Sequence, residues 1–133
     1  MKNNCFLILT IFFFNFLSAQ IVNIPDANFK AKMLSTSSTN FIAKNLTGSY
    51  FKIDVNSDGQ IQVSEALQVS YLNIGYFQIA SLIGIESFSN LETLYCSNNN
   101  LTSLNVTNLT KLKSLGCANN KISTLDVSSL INL

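Results

Sequence analysis

The chain repeats itself every 21 residues. LETLYCSNNNLTSLNVTNLTK (91–111) aligns without a gap to LKSLGCANNKISTLDVSSLIN (112–132). Leu91 meets Leu112, Leu94 meets Leu115, Cys96 meets Cys117 and Asn99 meets Asn120. Further along, Leu101 meets Ile122, Leu104 meets Leu125, Val106 meets Val127 and Leu109 meets Leu130. Residues 69–90 keep the same frame through Val69, Leu72, Ile74, Phe77, Ile79 and Leu82. One extra residue near Ile83-Gly84 then makes that unit 22 long. A single unit of this size cannot bury its own apolar side, so the units must stack, one coil upon the next.

The shared frame, L-x-x-L-x-C-x-x-N-x-L-x-x-L, resembles a leucine-rich repeat with Cys in place of the usual third leucine. It predicts an α/β solenoid: short parallel strands near 93–97 and 114–118, an asparagine turn, and a loose return arm in each coil. Asn99 and Asn120 are expected inside the turns, pairing backbone groups of neighbouring coils that would otherwise be buried without partners. Phe77 holds that position in the first repeat, so the asparagine ladder should begin with the second coil. Cys96 and Cys117 would sit about 4.8 Å apart on adjacent strands, within reach of a disulfide. Both are expected to point inward as small hydrophobes, which favours free buried thiols. Leu133 is the first position of a fourth repeat, so the chain reads as the front part of a longer repeat protein.

The start of the chain is of a different kind. Lys2 precedes the apolar run FLILTIFFFNFL (6–17), and Leu17-Ser18-Ala19 supplies a small-residue cleavage site. The run is short for a membrane span and fits a secretory signal peptide over 1–19. An exported chain with no membrane span in its mature part is therefore expected. From Gln20 onward seven Lys balance seven Asp and Glu, and there is neither Arg nor His. Without Arg or a basic run, nucleic acid is a poor partner. Without His, the commonest general base and zinc ligand are missing. No nucleophile–base pair can be assembled, and an enzyme is not expected.

Residues 20–68 read as a helical N-terminal cap on the solenoid at 69–133. NIPDANFKAKML (23–34) has Pro near a helix start, Asp26 in the first turn, and Phe29 and Met33 four apart on one face. A second short helix is expected around NFIAKNL (40–46). Between this cap and Val69 lies DVNSDGQIQVSE (54–65), with the ligand spacing of an EF-hand calcium loop. Asp54, Asn56 and Asp58 would give side-chain oxygens, Gln60 its backbone carbonyl, and Glu65 a bidentate carboxylate. Gly59 permits the turn, Gln62 could act through a water, and Ile61 is the apolar eighth residue. A single loop with little room for an entering helix resembles a dockerin-like structural Ca2+ site more than a signalling pair.

Together IPDANFKAKML, IDVNSDGQIQVSEA and LETLYCSNNNLTSLNV resemble the N-terminal part of secreted bacterial leucine-rich repeat proteins of internalin-like plan. The resemblance implies secretion or display at the outer cell surface and binding of an extracellular protein or cell-surface ligand. The strand positions between the leucines would form the binding face. Of these, Tyr71, Asn73, Thr93, Tyr95 and Ser97 are the candidate contact residues, and the two tyrosines are the rigid anchors. Two alternatives stand beside this reading. The dockerin-like loop suggests a carbohydrate-associated or scaffold-tethering module, and the open repeat frame suggests the non-catalytic front of a larger secreted enzyme.

Overall fold

The computed structural model describes residues 19–133. All but the last residue of the leader expected at 1–19 lies outside them. In chain order the elements are α1 (Ala27–Leu34), β1 (Ala43–Asn45), α2 (Val63–Ala66), β2 (Val69–Asn73), a 3-10 turn (Ile85–Ser87), β3 (Thr93–Tyr95) and β4 (Ser114–Gly116). The strands form one sheet in the order β1-β2-β3-β4. β2, β3 and β4 are parallel, in a register that stacks Leu72, Leu94 and Leu115 in one column. Tyr71, Thr93 and Ser114 flank that column on one side, and Asn73, Tyr95 and Gly116 on the other. The repeat spacing of the sequence is thus the register of the sheet.

Strand side chains alternate between two faces, so the leucine column goes to the inner one. Leu72, Ile74, Ile79, Leu91, Leu94, Cys96, Leu101 and Leu109 are fully buried there. They are continuous with Phe29, Met33, Ile53 and Ile61 of the cap, giving one core rather than two. The strands are three residues long where five were expected at 93–97 and 114–118, because the chain bends away into the turn after Tyr95 and Gly116. Asn98 and Asn119 take left-handed backbone there (φ 58° and 54°), as does Tyr76 at the matching position of the first coil (φ 67°). Asparagine tolerates that region better than most residues.

The asparagine ladder forms as the frame requires. Asn99 Nδ2 donates to the carbonyls of Ile74 (2.8 Å) and Cys96 (3.0 Å), and its Oδ1 accepts from the N–H groups of Phe77 (3.1 Å) and Ile79 (3.0 Å). Asn120 repeats the pattern one coil on, with Leu101 N–H on its Oδ1 and Cys96 and Cys117 carbonyls on its Nδ2. The extra residue of the first coil is absorbed at Gly84, which has φ 103° and lies under the cap. A Cβ at Gly84 would stand 2.6 Å from the Asn23 carbonyl oxygen, so no side chain fits.

The cap departs from a purely helical plan. Helix α1 is present, but Asp26 is its N-cap rather than part of its first turn, with Oδ1 accepting from Phe29 N–H at 2.9 Å. The helix expected at 40–46 is instead strand β1, antiparallel to β2. The reason is that β2 would otherwise present an unpaired edge. Asn73 N–H donates to the Ile42 carbonyl (2.7 Å), a bond that the segment could not offer as a helix. A helix this short is also marginal by itself. After β1 the chain turns through Gly48 (φ 82°), with Asn45 Oδ1 accepting from Thr47 and Ser49 N–H groups, and Tyr50 returns opposite Lys44. The short helix α2, which the sequence reading did not assign, leads from the loop at 54–65 into β2.

Candidate functional site

Two places gather the residues singled out in the sequence. The first is the sheet face turned away from the core. There Tyr71, Asn73, Thr93 and Tyr95 project from β2 and β3, while Ser97 lies half-buried in the turn beyond β3. Tyr71 and Tyr95 meet edge to face, with ring centroids 5.9 Å apart. Two further rings extend the row. Tyr50 lies 6.4 Å from Tyr71, and Phe41 lies 5.1 Å from Tyr50, each pair at nearly right angles. Such pairs add about 0.5–1.5 kcal/mol each beyond area burial, which holds the rings in a fixed array. Lys44 lies among them, its Nζ 4.8 Å from the Tyr50 ring centre and 5.2 Å from that of Tyr71.

A helical pattern over 40–46 hides Phe41 and Lys44 from the sequence, and with them the strand opposite which Tyr50 returns. The signal was there: Asn45-Leu46-Thr47-Gly48 is a turn between two short extended pieces, and it marks a hairpin. At the other end of the row Tyr95 lies over β4. A Cβ at Gly116 would stand 2.8 Å from Tyr95 Cδ1, so the glycine makes room for the ring. The Tyr95 hydroxyl reaches Ser114 Oγ at 3.3 Å. Phe41 is 72% exposed and Tyr95 39%, so the row ends in open aromatic surface on both sides.

The second place is the loop at 54–65. Asp54 is buried, and its carboxylate accepts from the N–H groups of Asp58 (3.1 Å) and Gly59 (3.3 Å). Asp58 accepts from Gln60 N–H (2.8 Å) and from the amides of Asn56 (3.0 Å) and Gln62 (2.7 Å). The backbone bond from Gln60 outweighs the opposing desolvation and, with the Asn56 and Gln62 amides and the Lys30 charge, holds the Asp58 carboxyl below its ordinary pKa. Glu65 accepts from Val55 N–H (2.7 Å) on one oxygen and Gln62 N–H (3.0 Å) on the other, so it caps α2 and closes the loop. Gly59 has φ 77°, a left-handed conformation that glycine takes at no steric cost.

This loop is also a joint. Val22 N–H donates to the Ile61 carbonyl and Val63 N–H to the Gln20 carbonyl, both at 2.8 Å. Lys30 of α1 donates to Gln60 Oε1 at 2.9 Å. Oxygen donors of Asp54, Asn56, Asp58, Gln60 and Glu65 thus share one turn, and hard oxygen donors are what Ca2+ takes. Among the described residues, no three His, Cys, Asp or Glu side chains converge on one point. The carboxylates face backbone N–H groups instead, and the donor set suits the ion in chemistry and order rather than as a closed chelate.

The sequence profile described as Leucine Rich repeats (2 copies) matches residues 89–132. The two coils within that span carry the leucine-rich repeat pattern. The structure is similar to the functional domain of InlJ from Listeria monocytogenes, described as including a cysteine ladder, at 26% identity and TM-score 0.65 over 86% of this chain and 22% of that one. It is similar also to the internalin InlF of L. monocytogenes strain 4b F2365, at 26% identity and TM-score 0.62, over 86% of this chain and 30% of that one. Internalin C2 of the same strain, at 19% identity and TM-score 0.59, shares the fold, over 86% of this chain and 45% of that one. The chain therefore spans less than half of each of these structures. No curated protein sequence matches it.

Cys96 and Cys117 are free thiols on neighbouring coils, but only Cys96 is buried as expected, and Cys117 is half-buried. Burial, and then the neighbouring Cys117, push the Cys96 pKa up to about 12. A thiol held neutral in this way is a core residue and a poor nucleophile. Among the described residues no helix is long and apolar enough to cross a membrane.

Proposed function

We propose that this chain is an extracellular leucine-rich repeat module that binds a protein or cell-surface ligand through the outer face of its sheet. The observation that carries this reading is the row Phe41–Tyr50–Tyr71–Tyr95. Aromatic rings fixed in one array and partly open to solvent supply contact area at little entropic cost, which is how interface anchors work. Nothing in the folding of the repeats requires tyrosine at 71 or 95, since both side chains lie outside the core. The repeat likeness and the internalin-like fold support the same reading.

The loop at 54–65 would hold Ca2+ through side-chain oxygens of Asp54, Asn56 and Asp58, the Gln60 carbonyl and the Glu65 carboxylate. The ion would neutralise three like charges at the point where the N-terminal segment, α1 and α2 meet. Its role would be to fasten the cap to the first coil rather than to signal. The expected leader at 1–19 supports an extracellular setting, where calcium is abundant enough for a weak structural site.

The binding reading is tested by saturable binding of the labelled chain to intact animal and bacterial cells, before and after protease treatment of those cells. Protease should abolish binding. A Tyr71→Ser/Tyr95→Ser variant with unchanged far-UV circular dichroism should bind at least about tenfold more weakly, the loss of one strong anchor. Equal binding by that variant would remove the aromatic face from the account.

A further inference from the structure

Phe77 stands where the next two coils have the inward asparagines Asn99 and Asn120. Its ring does not enter the turn. It is 41% exposed and faces helix α1, where Lys32 Nζ sits 3.3 Å from the ring centre. Lys32 itself is only 9% exposed. With Asn28, Ala31 and Ser35, the two line a mainly apolar cleft of about 260 Å3.

The lysines of the described chain differ in what they hold. Lys30 bonds Gln60, Lys52 bonds Ser57, Lys111 bonds Asn90, and Lys113 pairs with Glu92. Lys44 lies among the outer rings, and Lys121 is exposed to water. Lys32 is the buried one, and among the described residues its amine has no oxygen within hydrogen-bonding distance. An aromatic face attracts a cation but accepts none of its three N–H bonds in the way an oxygen does. The Lys32 stem is buried, while its ammonium keeps contact with water and faces the ring with no anion beside it. Burial lowers the Lys32 pKa, and a carboxylate beside it would raise it again.

We propose that this cleft binds small organic monocarboxylates, with the Lys32 ammonium as counter-ion and the Phe77 ring as apolar wall. The lining selects that class. Asn28 uses one amide N–H on the Gln78 carbonyl (3.1 Å), which leaves the other for a ligand oxygen. Ser35 donates its hydroxyl to the Lys32 carbonyl (2.8 Å) and has no proton for an anion. One cation and one amide N–H suit a single carboxylate. A phosphate or sulfate would bring more charge and more acceptors than these donors satisfy, against a wall of carbon. The volume lies below the roughly 300–1,000 Å3 of drug-sized pockets, so the ligand is compact.

Phenylacetate is the probe, with phenylacetamide as its neutral isostere, each titrated into the purified chain while the Lys32 side-chain and Phe77 amide resonances are followed. Phenylacetate should give saturable shifts at both residues. Phenylacetamide should bind at least about tenfold more weakly, because a charge-assisted pair is lost. Lys32→Met keeps the length and apolar stem, and should lose phenylacetate binding without a fall in melting temperature. Phe77→Asn, which installs the residue of the later coils, should also lose it. The acid–amide comparison needs no variant and decides the matter alone if Lys32→Met fails to fold. Absence of saturable shifts, equal affinity for acid and amide, or full binding by a folded Lys32→Met would overturn the assignment.

Discussion

Replacing Asn99 by Ala removes four hydrogen bonds at once, and their fates differ. The Cys96 carbonyl keeps a partner, because Asn120 Nδ2 also reaches it at 3.0 Å. Phe77 N–H lies in an exposed turn, where water can replace the lost oxygen. Ile74 and Ile79 are fully buried, so the Ile74 carbonyl and the Ile79 N–H are left with nothing. At about 1–3 kcal/mol for each orphaned group, Asn99→Ala should cost about 2–6 kcal/mol. That is a large share of the ~5–15 kcal/mol that holds a typical domain together. Asn120→Ala should cost about half as much, about 1–3 kcal/mol, because the Cys96 carbonyl keeps Asn99, the Cys117 carbonyl belongs to a half-buried residue, and only the buried Leu101 N–H is orphaned. Urea unfolding followed by circular dichroism measures both, with the slope expected to stay constant. A loss below about 1 kcal/mol for Asn99→Ala, or a loss for Asn120→Ala that matches it, would refute the bridging role.

Acid should loosen the cap. Burial alone would raise the Asp26 pKa, but the N–H groups of Phe29, Ala80, Ser81 and Asn28 outweigh it and bring the value below the ordinary 3.8. A carboxyl lowered in the folded state stabilises fully above its unfolded pKa, and that stabilisation is lost as pH falls through the folded value. The melting temperature should therefore drop as pH is taken from about 5 to about 3, and Asp26→Asn should flatten part of that drop. At Gly84, alanine must overcome both φ 103° and a Cβ 2.6 Å from the Asn23 oxygen, whereas at Gly48 it meets no atom within 4 Å. Chemical denaturation should give Gly84→Ala a cost of more than about 2 kcal/mol and Gly48→Ala about half of it.

The parts of this fold that are legible in the sequence are those fixed by short-range spacing. Leu72, Leu94 and Leu115 fall in one column because the register of the sheet is the repeat period. Asn99 and Asn120 bridge coils because each turn returns them to the same place. The loop at 54–65 is likewise local, and its backbone bonds to Asp54, Asp58 and Glu65 form within twelve residues. What escapes the sequence is decided by distant partners. Residues 40–46 carry a pattern a helix could use, yet the free edge of β2, a further 24 residues along, draws Ala43–Asn45 into the sheet. The same pairing sets Phe41 and Tyr50, half of the aromatic row, beside Tyr71. Asp26 could be read as a helix-start residue, but not as the clasp that takes Ala80 and Ser81 N–H groups at 2.9 and 3.0 Å. Lys32 and Phe77 lie 45 positions apart in sequence, and only the docking of α1 on the first coil brings them together.

The fastening of cap to coil by calcium is tested most directly by melting the purified, chelator-stripped chain with and without added Ca2+, beside an Asp58→Asn variant. Calcium at about 100 times its dissociation constant should stabilise by about 2.7 kcal/mol, raising the melting temperature by several degrees, and Asp58→Asn should lose most of that rise. Identical melting curves with calcium and with chelator would contradict the assignment and leave 54–65 as a turn closed by its own hydrogen bonds.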